Sequence, residues 1–137
     1  MKFMTFMTAF LALAATGAMA ETNIYKCTIL NADSSWIPET LQLSHDVETG
    51  DILVIDPIIN HFNEQKPLPA SVSVDNSKRT SYAWTLRGVK NATGQYAPAF
   101  VFRATIMKAD GRLRMTSQPQ RYTDTFTGNG RCIKSVR

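Results

Sequence analysis

The residues best equipped for acid–base chemistry are three neighbours, Ser44, His45 and Asp46. A catalytic relay needs their side chains to hydrogen bond in turn, but neighbouring residues on a strand point to opposite faces. His61 and Glu64 are the next candidates, as metal ligands together with His45 and Asp46, and their spacing matches no zinc signature. The sequence therefore predicts a protein that is not an enzyme and that has neither a metal site nor another cofactor.

Cys27 and Cys132 are the two cysteines of the chain and allow one intramolecular pairing. A bridge between them would close a loop of about 105 residues. The chain-entropy model assigns about 4.7 kcal/mol of stabilisation to a loop of roughly that length. The chain has no C-x-x-C pair, so a structural bond is favoured over a redox-active one. We predict a disulfide that joins the first and last strands, with two free thiols or a metal-binding pair as the alternatives.

Residues 1–20 have the features of an export leader. A charged second residue precedes an apolar run over 3–15, and Ala18-Met19-Ala20 gives the small-x-small pattern that signal peptidase cleaves. The run is too short to span a bilayer, which takes about 20 residues of helix. We therefore predict a cleaved signal peptide over 1–20, a single domain over 21–137 without a transmembrane span, and a periplasmic or secreted location. A core helix over 1–20 is the alternative.

The elements that must position any site are strands, because alternation with a period of two dominates the chain after residue 20. The clearest strand covers 99–108, and Asp110-Gly111 after it suits the positive φ angles of a type I′ hairpin. The sequence predicts a turn at Gly128-Asn129-Gly130 and an irregular stretch over 57–70. The pattern as a whole predicts an all-β fold, an antiparallel meander of eight or nine strands that closes into a barrel. A β-sandwich is the alternative.

Aromatic side chains supply the candidate binding groups. Four of them lie on one face of two predicted strands and are candidates for a ligand cavity: Tyr82, Trp84, Phe100 and Phe102. The alternative is that they fill the core, since small barrels are often closed by their own side chains. Three residues in predicted loops are candidates for contact with a partner: Trp36, His61 and Phe62.

Charge is divided between the two halves of the chain. Residues 21–77 carry a formal charge of −7, and residues 78–137 carry +10. We expect acidic and basic strands to pair across the sheet, which would largely neutralise the difference. The alternative is a basic surface that attracts an acidic partner and consists of Arg103, Arg112, Arg114 and Arg121. Nucleic acid is not an expected partner, because no recognisable nucleic-acid-binding module is present.

An exported leader, a small all-β body and one end-to-end disulfide make the chain similar in architecture to periplasmic eight-strand barrels, among them lysozyme inhibitors and calycin-like binders. The S-G-x-x-Y and Y-x-x-x-T-K-G signatures of those inhibitors and the G-x-W of lipocalins are absent, so no residue role is carried over. We expect an exported, non-enzymatic barrel that binds a small apolar ligand or a macromolecular partner. The alternative is an envelope structural or assembly protein whose basic half contacts acidic surfaces.

Overall fold

The computed structural model describes residues 21–137, so the predicted signal peptide at 1–20 lies outside the described residues. The described part of the chain forms nine strands and one short helix. In chain order these are β1 (Thr22–Ala32), β2 (Thr40–Asp46), β3 (Ile52–Ile55), α1 (Pro57–Phe62), β4 (Leu68–Pro69), β5 (Ser71–Asp75), β6 (Arg79–Lys90), β7 (Tyr96–Met107), β8 (Arg112–Pro119) and β9 (Phe126–Val136).

The sheet curls into a nearly closed barrel. Its strand order is β4-β3-β2-β1-β9-β8-β7-β6-β5, and all paired strands are antiparallel. The two edge strands, β4 and β5, are consecutive in the chain with Ala70 alone between them, so the edges of the sheet must lie side by side. The predicted all-β barrel is therefore confirmed, and the molecule is not a sandwich.

The predicted disulfide is confirmed. Cys27 on β1 and Cys132 on β9 face each other directly in the register of these two strands and are bonded. Both cysteines are buried. A bond between the first and last strands is compatible with an oxidising, exported compartment.

The prediction of a turn at 128–130 is wrong, because β9 runs through these residues without interruption. Gly130 lies opposite β1, where an added Cβ atom would collide with the carbonyl oxygen of Thr28. Gly128 is similarly confined by the side chains of Ile29 and Ile37. The two glycines therefore mark a close approach of backbone and side chains inside a strand, which is the other common reason for glycine in a sheet.

The prediction that 57–70 is irregular is wrong at both ends, since α1 occupies 57–62 and β4 occupies 68–69. The helix begins after Asp56, whose Oδ1 accepts a 2.8 Å hydrogen bond from the backbone N–H of Ile59. Pro57 in the first turn suits this position, because its missing N–H would be unpaired there in any case. Ile58 and Ile59 are buried and hold the helix against the barrel. No helix among residues 21–137 is long and apolar enough to cross a membrane.

The predicted β7–β8 hairpin is confirmed, but its turn type is not. Gly111 has a φ of 74°, whereas Asp110 is not among the residues with positive φ, so the turn is not type I′. The carboxylate of Asp110 instead accepts the backbone N–H of Arg112 at 3.0 Å.

Side chains fill the interior of the barrel. Alternate residues of β6 and β7 point inward, and the bulkiest fully buried side chains include Tyr82, Phe102, Leu86 and Met115. This packing agrees with the size of an eight-to-nine-strand barrel, whose interior is just wide enough for side chains.

Candidate binding site at the mouth of the barrel

A row of aromatic rings runs from the core to one end of the barrel. From the inside outward it consists of Trp84, Phe102, Phe100, Trp36, Phe62 and His61. Neighbouring ring centroids are 4.6 to 5.9 Å apart, within the range of favourable aromatic pairs. The sequence analysis placed seven aromatic and histidine residues in two groups, one for a ligand cavity and one for contact with a partner. Six of these seven lie in this single row of rings.

Trp36 lies near the open end of the barrel, and hydrogen bonds fix the backbone of its loop. The Ser117 hydroxyl donates to the Trp36 carbonyl oxygen at 3.1 Å, and the Trp36 backbone N–H donates to the Ser34 hydroxyl at 3.1 Å. At the start of the loop, the Asp33 carboxylate accepts the backbone N–H of Thr127 at 2.9 Å. The indole is therefore positioned before any ligand arrives, which lowers the entropic penalty of binding.

A cavity of about 130 Å³ opens beside Trp36. Its inner wall is apolar and is formed by Trp36, Val89, Ala97, Phe100, Pro119 and Phe126. Its rim consists of Asn91, Gln95, Tyr96, Tyr122 and Asp124. Tyr96 and Tyr122 are 49% and 41% exposed, so solvent reaches the rim. We call this region the mouth cavity.

The rim residues differ in whether their polar groups are free. Asn91 is fully occupied by the turn, because its Oδ1 accepts from Thr93 and Gln95 and its Nδ2 donates to Gln95 Oε1. The Asp124 carboxylate has no hydrogen bond or ion pair with any other residue in 21–137. The lining of the mouth cavity therefore includes one unpaired carboxylate as well as aromatic side chains.

The rim residues of the mouth cavity were not among the candidate residues predicted from the sequence. Tyr96, Tyr122 and Asp124 stand at the edges of turns, where no periodicity separates them from ordinary surface residues. The one available signal was the presence of bulky aromatics beside turns, which is consistent with a contact surface on loops.

Tyr82 is the one predicted cavity residue outside the row. It lies beyond Trp84 from the mouth, and its hydroxyl is 3.1 Å from His45 Nδ1. Burial raises the pKa of the Tyr82 phenol well above its usual range, so the hydroxyl remains protonated. Asp46 is engaged elsewhere, since its Oδ1 accepts the backbone N–H of Glu48 at 3.0 Å. The trio of residues 44–46 thus forms no relay.

The other candidate ligands for a metal are also dispersed. His61 is exposed at the end of α1, and Glu64 forms an exposed ion pair with Lys66 at 3.5 Å. Within residues 21–137, no three His, Cys, Asp or Glu side chains are grouped closely enough to hold a metal ion.

Asp56 is a buried carboxyl group with an incomplete set of partners. It is 4% exposed, and while Oδ1 caps α1, Oδ2 has no hydrogen-bond partner among the described residues. Burial raises the pKa of Asp56 to about 6, although backbone N–H groups of Ile59 and Ile58 act in the opposite direction.

The four arginines predicted to form a basic surface do not all lie together in the structure. Arg103 on β7 and Arg112 and Arg114 on β8 are exposed on the outer face of adjacent strands, whereas Arg121 lies in the loop after β8. Of the three ion pairs within 21–137, only Lys108–Asp75 joins the acidic and basic halves of the chain. The neutralisation by cross-strand pairs that we expected is therefore largely absent.

Comparison of the chain with protein-family models, with curated proteins and with solved structures found no match.

Proposed function

We propose that this protein is an exported, non-enzymatic binding module whose mouth cavity holds a small aromatic group that carries a positive charge. The observation that supports this most directly is that Asp124, whose carboxylate is unpaired within 21–137, lines the same cavity as the stacked rings of Trp36 and Phe100. Aromatic faces attract cations, most strongly when a tryptophan is present, and a carboxylate adds a charge partner.

The size of the ligand follows from the volume of the cavity. At about 130 Å³ it is close to the roughly 150 Å³ apolar cavity that accommodates benzene. Sites for drug-sized molecules are larger, about 300–1,000 Å³. Below the mouth, Phe102 and Trp84 are packed against each other and leave little room for a longer chain. The cavity therefore suits one ring, either of a small molecule or of a side chain on a partner.

The composition of the cavity favours binding over catalysis. Its lining contains no serine, cysteine, histidine or lysine, and the Asp124 carboxylate has no hydrogen bond to a second side chain that could act with it within 21–137. The amide of Asn91 is occupied by its own turn. A site of this kind can select a ligand by shape and charge.

The test uses the two tryptophans as separate reporters. In a Trp84→Phe variant, Trp36 alone reports on the mouth, and in a Trp36→Phe variant the buried Trp84 alone reports on the core. Titration of the first variant with phenethylamine should change the tryptophan fluorescence with saturation. The Trp36→Phe variant should show little change over the same range.

Matched probes and a matched variant test the role of charge. Asp124→Asn should weaken phenethylamine binding by about fivefold, since an exposed charge interaction is worth roughly 1 kcal/mol. It should not weaken the binding of the uncharged probe toluene, and wild-type protein should bind 3-phenylpropionate less tightly than phenethylamine. Absence of saturable binding in the Trp84→Phe variant, or an equal response from both single-tryptophan variants, would contradict the proposal.

Export is tested by mass. Protein recovered from the periplasm of a bacterial host should begin at Glu21, and chemical reduction should add the mass of two hydrogens as the Cys27–Cys132 bond opens. Recovery of the intact chain beginning at Met1 from the cytoplasm alone would contradict this part of the proposal.

A further inference from the structure

Five strands that are adjacent in the sheet, β1, β9, β8, β7 and β6, contain no aspartate or glutamate. They nevertheless carry most of the basic residues of the second half of the chain. The bases that alternation places on their outer surface are Lys26, Arg79, Arg87, Arg103, Arg112, Arg114 and Arg131, and all are exposed. We call this outer surface the basic face.

The basic face contains more bases than the four arginines that the sequence predicted to form a basic surface. Arg112 and Arg131 are direct cross-strand neighbours, so two like charges lie side by side on β8 and β9. Asp110, in the turn, contacts Arg112 at 2.7 Å and is the one acid that pairs with the basic face among the described ion pairs. Like charges directly opposite each other destabilise a sheet. Asp110 offsets part of the repulsion between Arg112 and Arg131, and an anionic partner that covers the face would offset the rest.

Apolar side chains lie among these bases. Ile133 on β9 is 77% exposed and pairs in register with Lys26, and Leu30 on β1 is 70% exposed. Val101 is exposed on the same side of β7 as Arg103. A soluble polyanion would not bury the exposed isoleucine and leucine side chains. The interface of a bilayer can bury them in hydrocarbon and at the same time provides phosphate groups for the bases.

We infer that the part of the basic face on β1, β9 and β8, where Leu30 and Ile133 lie among the bases, is the surface with which this protein associates with an anionic phospholipid bilayer. Arginine guanidinium groups bind phosphate in a planar, two-pronged geometry, and their aliphatic stems lie readily along apolar surface. The exposed side chains of Ile133 and Leu30 would enter the headgroup region between them. The mouth cavity lies at the end of the barrel, so it would remain accessible while the basic face is occupied.

The test is co-sedimentation of the purified protein with vesicles of phosphatidylcholine, with or without phosphatidylglycerol. Each base near an anionic bilayer contributes about a fivefold change in binding, so Arg112→Gln, Arg114→Gln and Arg131→Gln together should weaken binding on the order of a hundredfold. The matched control removes three positive charges elsewhere, by Lys66→Gln, Lys78→Gln and Arg121→Gln. It should change binding by less than about tenfold.

Three results would overturn the inference: no binding to vesicles that contain phosphatidylglycerol, equal losses in the two triple variants, or binding that added salt does not weaken. Binding to soluble dextran sulfate without binding to vesicles would also overturn it, in favour of a polyanion. Leu30→Ser with Ile133→Ser should reduce vesicle binding while leaving retention on dextran sulfate unchanged. Because all these side chains are exposed, a thermal melt and phenethylamine binding should be preserved in each variant, which separates this inference from the proposed function.

Discussion

Replacement of Asp56 by asparagine is expected to stabilise the protein at neutral pH. Asparagine is as good an N-cap as aspartate, so the hydrogen bond from the Ile59 backbone N–H to the side chain at position 56 should persist. The substitution removes the ionisation of a carboxyl that is 4% exposed and whose second oxygen has no described partner. The Asp56→Asn variant should therefore keep the N-cap of α1 and avoid the cost of burying a charged carboxylate.

The magnitude follows from linkage between protonation and folding. In the folded protein the pKa of Asp56 is about 6, against an ordinary value of 3.8, so between these pH values the native state holds a proton that the unfolded chain has released. Stability therefore falls as the pH rises through this window, and the contribution of Asp56 is most unfavourable above pH of about 6. The difference between the two pKa values corresponds to about 3 kcal/mol.

Urea unfolding of the wild type and of Asp56→Asn between pH 3 and pH 8 measures this contribution as the difference between the two curves. The variant should be more stable by up to about 3 kcal/mol at pH 8, and the gap should close toward pH 3. Asp56→Ala also loses the cap and should lie about 1 kcal/mol below Asp56→Asn at every pH. A contrasting control is Asp75→Asn, because the hydrogen bond from Lys108 lowers the pKa of Asp75 and its effect on stability has the opposite sign. An Asp56→Asn curve parallel to that of the wild type would refute the reasoning.

Three further predictions concern the fold that carries the site. Reduction of Cys27–Cys132, or its replacement by alanines, should lower the unfolding free energy by up to about 4.7 kcal/mol in urea titrations, and an unchanged midpoint would contradict it. Gly130→Ala should lower the free energy of unfolding by about 3 kcal/mol, because the new Cβ atom would collide with the β1 backbone. Gly50→Ala should lower it by only about 1 kcal/mol, because the new Cβ atom meets open space and the cost comes from the positive φ of residue 50. Similar melting temperatures for the two variants would contradict this prediction. Phe102→Ala, which removes the fully buried ring at the centre of the row, should destabilise by about 3–5 kcal/mol in calorimetry, and a loss below 1 kcal/mol would be inconsistent with a packed interior.

Much of the barrel could be predicted because strand patterns are local. Alternation over residues 99–108 identified β7 and its inward face, and the two cysteines at the chain ends indicated that β1 and β9 are neighbours. The local sequence pattern gave a wrong prediction where glycine can serve either in a turn or at a close approach of two strands. Gly128 and Gly130 suggested a turn, but they allow close approach inside β9, and only the position of β1 distinguishes the two roles.

The helix α1 and the mouth cavity escaped prediction for different reasons. Asp56 followed by Pro57 is a recognisable helix start, yet six residues are too few to display a helical period. The mouth cavity depends on contacts between distant segments, such as the 4.8 Å stacking of Trp36 on Phe100. The basic face likewise required the strand order, since Arg131 and Arg112 become neighbours only when β9 lies beside β8.

The central claim, that the mouth cavity is the binding site, is tested most directly by a residue-resolved NMR titration of the isotopically labelled protein with phenethylamine. Binding at the mouth predicts saturable shifts of backbone amides in 33–38, 90–96 and 120–126, the three segments that carry Trp36 and the rim. Shifts that cluster instead around Tyr25 and Tyr82 at the other end of the barrel, or that spread evenly over the surface, would contradict it.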